Sequence, residues 1–304
     1  MRIRRNKTAV VARAWLSAML AIQVLWLSKT TSGEERVGLR GALRAPVRTF
    51  EVRASALKEA LVLACSTVQS SETSLTQLNG IFWDLRSHRM DMFGTDGRRI
   101  VQVSQLIVGP QDAGVFFMPI GEARKLHDQL PLTGTLTLEI EEHHARLSGV
   151  NFAAHVRLED TDSTSLVDDM KKVIRQTQPE TMMSLDRAVW LASMRALSTA
   201  GQPDAFGAVR TVFSATSHGI TCRLRHLGGT DERIATNYAG RELEAVYDLR
   251  YLISMLEALP VDEHAAQFGF APPLSALVVR TPSLVYLVLP MADPPKQADI
   301  SGPR

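Results

Sequence analysis

One interval of about 130 residues organises this chain. Leu57, Leu61, Ala64, Cys65 and Val68 recur at helical spacing, and a second such helix opens at Leu185 with the run Leu-Asp-Arg-Ala-Val-Trp-Leu-Ala-Ser-Met. Another helical segment begins at Pro119 and has its counterpart at Asp248. His143-His144 lies between two strand-like runs, and so does Pro272-Pro273. Three landmarks at one offset mark a tandem repeat, not one large fold. Two units also suit a length of 304 residues, at roughly 100–200 residues per domain.

The spacing of apolar residues predicts the contents of each unit. In the first, a helix over 54–68 is followed by strands at 78–84, 89–93, 99–107 and 115–118. A helix over 119–130 comes next, with Pro119 at its first turn, then strands at 135–140, 145–148 and 151–158. Residues 159–180 are polar, contain Pro179 and read as a linker. In the second unit, the Leu185 helix precedes strands at 208–214, 220–225, 233–237 and 243–247. A helix over 250–259 and strands at 265–270, 275–280 and 284–289 complete it. Helices confined to one face of antiparallel sheet make an α+β layered class.

Charge is unevenly placed. Residues 1–48 hold ten Lys/Arg against Glu34 and Glu35, whereas the remainder holds 24 bases and 30 acids. A basic arm therefore precedes a mildly acidic body. The arm also contains an apolar run, 14–27, which is shorter than the ~20 residues a membrane span needs. An export signal, a membrane-surface helix and a disordered or non-native upstream segment all fit it. Two cysteines, Cys65 and Cys222, cannot build a disulfide framework or a four-ligand zinc site, and both sit in apolar segments.

No phosphate-binding loop, dinucleotide fingerprint, zinc-protease helix or nucleophile elbow occurs in the sequence. His143-His144 reads as a hairpin turn, Glu159, Asp160 and Asp162 as a solvated loop, and His127 as a helix-packing residue. No catalytic residue, metal site or cofactor is expected. Gly94-Thr95-Asp96-Gly97-Arg98-Arg99-Ile100, between two strands, is a tight turn by its Asp-Gly pair.

The order of short motifs then brings a family into view. Leu78-Asn79-Gly80-Ile81, Thr95-Asp96-Gly97-Arg98-Arg99-Ile100, Phe117-Met118-Pro119 and Asp169-Met170-Lys171-Lys172-Val173-Ile174 resemble, in sequence order, motifs of the middle domain of bacterial β sliding clamps. Ala208-Val209-Arg210, Tyr238-Ala239-Gly240, Asp248-Leu249-Arg250-Tyr251-Leu252 and Leu287-Val288-Leu289-Pro290-Met291 resemble those of the third domain. The clamp is the processivity subunit of DNA polymerase III. The resemblance covers about 240 residues. It divides the chain into a basic arm at 1–49, clamp-like domains at 50–174 and 175–293, and a polar tail at 294–304.

The resemblance implies a non-catalytic DNA sliding clamp or paralogue, a cytoplasmic, nucleoid-associated replication protein with no membrane role. It would encircle double-stranded DNA without base contacts and take short peptides from a polymerase, a clamp loader and repair partners. The implied peptide pocket comprises Leu78, Thr95, Gly97, Arg98, Arg99, Ile100, Lys172, Val173, Leu287, Leu289, Pro290 and Met291. The implied DNA-facing cations are Lys58, Arg124, Lys125, Arg187, Arg195 and Arg250, diluted by Glu59, Glu122, Asp128, Asp186 and Glu257. The family's first domain has no counterpart. Its F-P-D-Y is replaced by Leu166-Val167-Asp168-Asp169-Met170, and its terminal Arg-Leu by Ala292-Asp293. Three two-domain chains would restore six domains to a homo-oligomeric ring. A non-ring adaptor or decoy, and a degenerate clamp fragment, are the alternative readings.

Overall fold

The computed structural model describes residues 47–68, 78–86, 88–109, 112–141, 143–159, 163–184, 186–205, 207–224, 231–234, 238–260, 266–272 and 275–291. Residues 1–46 of the expected basic arm and the expected polar tail lie outside the described residues, and the arm's boundary at 49 is corrected by the structure, since Arg48 and Thr49 belong to the first strand of the first unit.

The first unit consists of two successive β-α-β-β-β halves. One half is β1 (Arg48–Arg53), α1 (Ala54–Cys65), β2 (Gly80–Arg86), β3 (Arg89–Thr95) and β4 (Arg99–Leu106). The other is β5 (Asp112–Pro119), α2 (Ile120–Gln129), β6 (Thr135–Glu141), β7 (His144–Gly149) and β8 (Phe152–Arg157). Helix α3 (Ser163–Gln176) connects it to the second unit. That unit repeats the plan with β9 (Met183–Ser184), α4 (Arg187–Ala200), β10 (Arg210–Thr216), β11 (Gly219–Leu224) and β12 (Asp231–Ile234). Its second half is β13 (Leu243–Asp248), α5 (Leu249–Ala258), β14 (Gln267–Ala271), β15 (Ala276–Arg280) and β16 (Leu284–Val288).

Among the described residues all strand pairing is antiparallel, within three sheets ordered β1-β6-β7-β8, β12-β11-β10-β13 and β5-β2-β3-β4-β16-β15-β14-β9. The eight-stranded sheet runs across both units, because β4 pairs with β16 in register from Arg99↔Val288 to Val103↔Leu284. Side chains along a strand alternate between faces. Ile81, Trp83, Leu85, Val101 and Val103 therefore face α1, while Phe82, Phe93 and Ile100 face the other way. Helices α1, α2, α4 and α5 share the first face, as the α+β reading expects.

The linker expected at 159–180 is corrected by the structure, since most of it is the helix α3. Leu166, Val167, Met170, Val173 and Ile174 form an apolar stripe on that helix. The stripe packs on Phe82, Phe93 and Phe117, on the face of the sheet opposite α1, α2, α4 and α5. Phe82 and Phe117 meet with ring centroids 5.1 Å apart. Burying each such side chain contributes roughly 1.5–3 kcal/mol, enough to hold a 14-residue helix whose surface is otherwise charged. The expected turn at His143-His144 is present, with His144 the first residue of β7.

Candidate functional site

The turn between β3 and β4 is built by its side chains. Asp96 accepts hydrogen bonds from the Arg98 and Arg99 amides at 2.9 and 2.8 Å. Gly97 has φ +81 with open space around it, which is the role of glycine in such a turn. Its amide donates to the Thr95 hydroxyl, and that hydroxyl donates to the Arg99 carbonyl at 2.7 Å. Gly94 has a different reason. A Cβ there would lie 2.1 Å from the Ala64 carbonyl, so only glycine lets the end of α1 approach β3.

The turn separates the two arginines. Arg98 is exposed. Arg99 shares the parity of Val101 and Val103 and so points to the helix side, away from Ile100. It is 4% exposed, bonded to Asp96 at 2.9 Å and to the Thr67 carbonyl at 3.3 Å. Its guanidinium also lies 4.2 Å from the ring centroid of Tyr251 on α5. Arg99 thus ties the first unit to the second, and it does not share a pocket wall with Ile100. Ser66 and Ser254 extend the same seam. Ser254 donates to the Ser66 carbonyl at 3.2 Å, and the Ser66 and Tyr286 hydroxyls are 3.3 Å apart.

On the outer face, the β4–β16 joint brings most of the remaining expected pocket residues together. Ile100 and Leu287 are register partners and are buried in an apolar cluster that spans both units. Val173, Val285 and Leu289 are half-buried around it, and Leu78, Pro290 and Met291 are half-buried as well. Leu289 donates its amide to the Arg98 carbonyl at 2.9 Å, so the turn and the closing strand form one rim. Lys172 stands exposed on α3.

The sequence reading did not anticipate the ionic cluster beneath α3. The Asp84 carboxylate on β2 is 1% exposed and accepts two hydrogen bonds from Arg86, each 2.5 Å, and one from Lys171. Beside it, Asp91 accepts from Arg89 at 2.7 Å and from the Ser104 hydroxyl at 2.7 Å. Burial pushes the Asp84 carboxyl upward, but hydrogen bonds from Arg86 and Lys171 outweigh it and hold the group below its usual range. An acid alternating with apolar residues in a strand, with a cation on a following helix, was the only signal.

Of the six expected DNA-facing cations, four are engaged locally. Lys58 donates to the Leu130 carbonyl at 3.0 Å, and Arg187 donates to the Leu256 carbonyl at 2.7 Å. Arg195 pairs with Glu257 at 2.8 Å, and Arg250 with Asp248 at 2.6 Å. Arg124 and Lys125 are exposed on α2. A groove of about 440 Å³ opens on this helical face, lined by residues including Leu61, Val62, Cys65, Arg124, Ser254 and Glu257. Among the described residues there is no cluster of three potential metal ligands, and no helix is long and apolar enough to cross a membrane.

No family model and no curated protein sequence matches the chain. Solved structures do. The Pseudomonas aeruginosa DNA polymerase III subunit β superposes with a TM-score of 0.71 at 16% identity, over 86% of this chain and 69% of that one. The Thermotoga maritima β subunit gives 0.67 at 18% identity over 86% and 70%, and the Bacillus subtilis sliding clamp 0.69 at 19% over 85% and 67%. The fold is that of bacterial sliding clamps. This chain spans about 70% of the length of those clamps. A further structure with the clamp fold, from Pseudomonas aeruginosa, is described as bound to griselimycin, at a TM-score of 0.69 and 15% identity over 84% of this chain and 68% of that one.

Proposed function

We propose that this chain is a divergent, two-unit sliding clamp or clamp paralogue. It carries out no catalysis. It encircles double-stranded DNA as a homo-oligomer, three chains supplying six units, and presents a peptide pocket to a polymerase, clamp loader or repair partner. The arm ends where β1 begins at Arg48, the two units follow, the first to 174 and the second over 175–293, and the tail is 294–304. The protein works in the cytoplasm, at the nucleoid. The observation that carries this reading is the eight-stranded sheet shared by two like units, with α1, α2, α4 and α5 gathered on one side of it.

In this reading the pocket lies on the outer face, at the β4–β16 joint. Leu78, Ile100, Val173, Leu287, Leu289, Pro290 and Met291 supply apolar contact, while Thr95, Gly97, Arg98 and Lys172 orient the peptide backbone and its acidic or amide groups. Arg99 acts from the opposite face by holding the turn in place.

A second reading is favoured by the engaged cations. Arg195 and Arg250 are paired with the carboxylates of Glu257 and Asp248, and Lys58 and Arg187 keep their charge but are held to backbone carbonyls, so fewer cations on the helical face are free to follow phosphates. A non-ring adaptor or decoy would keep the pocket and dispense with DNA. Sedimentation equilibrium of the full chain separates the two. A closed trimer supports the ring, and a monomer at high concentration supports the adaptor.

A further inference from the structure

The helical face carries a feature that phosphate binding does not explain. Its groove of about 440 Å³ is floored by α1, through Leu61, Val62 and Cys65, and walled by α2 and α5. Val62 is 40% exposed on that floor, although Leu61, Leu63 and Ala64 around it are buried. The size lies within the roughly 300–1,000 Å³ of clefts that hold an apolar ligand. The sequence holds an apolar run outside the described residues. Residues 14–27 include Trp15, Leu20, Leu25 and Trp26, in an arm that is otherwise basic. The arm joins the fold at β1, which runs directly into α1. From Val47 to Val62 the path is about 35 Å at most, at ~3.3 Å per strand residue and ~1.5 Å per helix residue. Residues 28–47 can span about 65 Å, so the run reaches the groove with slack.

Charge favours the same match. Residues 1–48 carry ten Lys/Arg and two acids, whereas the remainder carries 24 bases and 30 acids. Asp128 on α2 and Glu257 on α5 give each wall of the groove a carboxylate, and Arg124 shares the α2 wall. We propose that residues 14–27 dock in this groove of their own chain. Their apolar side chains displace water from Leu61 and Val62, which is the driving force. Arg13 and Lys29 bracket the run and orient it toward the acidic walls, as complementary charge fixes register at an interface. The contact is intramolecular, so it holds for a ring or an adaptor alike and does not depend on the choice between them.

Tryptophan quenching by acrylamide tests this in the full chain. Two of the four tryptophans, Trp15 and Trp26, lie in the run, while Trp83 and Trp190 are 0% and 2% exposed. Without lipid, the parent chain is expected to show no readily quenched fraction. Val62→Glu places a charge at an already open floor position, and about half of the emission should become readily quenched. Leu20→Asp, which lies outside the described fold, should do the same from the other side of the contact. Circular dichroism checks that both variants fold. A readily quenched half in the parent chain would overturn the docking. Protection that appears only with phosphatidylglycerol vesicles would put the run on a membrane, and protection that grows with protein concentration would put it between copies. Protection that survives Val62→Glu would put it elsewhere on the chain. Each of these three results also overturns the docking.

Discussion

Lys171, on the helix between the units, is bonded to Asp84 on β2, one strand in from the edge of the outer sheet. The contact joins segments 87 residues apart and pins α3 over β2. Because Val173 sits on the same helix, the ion pair also sets where one wall of the proposed pocket stands.

Asp84→Ala is expected to destabilise the fold by about 2–4 kcal/mol, since removing one partner of a buried network strands the others. Lys171→Met is expected to cost less, because Lys171 is 22% exposed and keeps Phe93 as an apolar neighbour. Asp84 retains Arg86 in that variant. A double-mutant cycle in urea should show non-additivity, as residues of one network do. Additive losses would count against the pinning role.

The same carboxylate predicts an acid-sensitive step. Its folded pKa lies below its unfolded value, so its contribution is complete above the unfolded pKa of about 3.9 and is lost as pH falls through the folded one. Stability measured from pH 6 downward should therefore fall less steeply in Asp84→Asn than in the parent chain. Parallel curves would exclude Asp84 as a source of the slope.

Arg98 and Arg99 are adjacent but are predicted to behave oppositely. Arg99→Ala leaves Asp96 buried without its partner and removes the stack on Tyr251, so a loss of about 3–5 kcal/mol is expected. Arg98→Ala should change stability by less than about 0.5 kcal/mol, as exposed substitutions do. If the pocket reading holds, Arg98→Ala weakens binding of an acidic, apolar-anchored peptide in fluorescence anisotropy, and Leu289→Asp abolishes it with the fold intact by circular dichroism.

Most strands could be placed from sequence because alternation is local. Phe82, Trp83 and Asp84 read as strand whether or not their partners are known. The repeat itself was legible for the same reason, and the structure shows both unit plans. Strand β1 was missed because only Phe50 and Val52 mark its buried face in six residues. Helix α3 was hidden by Asp168, Asp169, Lys171 and Lys172, although its apolar residues kept helical spacing. What no local pattern reveals is which distant edges meet. Ile100 and Leu287 are partners because the two units dock, and nothing near either residue says so. The separation of Arg98 from Arg99 was readable in principle, since a strand cannot turn two neighbours to one face.

The two thiols give a prediction with a clear sign. Burial raises the Cys65 thiol to about 11 and pushes Cys222 higher still, with Glu232 adding to the second shift. Thiolate is the reactive form, so neither residue should react appreciably with an aromatic disulfide at pH 7.5 in the folded protein. Both should react promptly in denaturant. As pH is raised on the folded chain, Cys65 should respond first, because it borders the helical-face groove whereas Cys222 is enclosed by its sheet. Rapid labelling of Cys222 in the folded state would mean that the β10–β11 region opens far more readily than its buried packing allows.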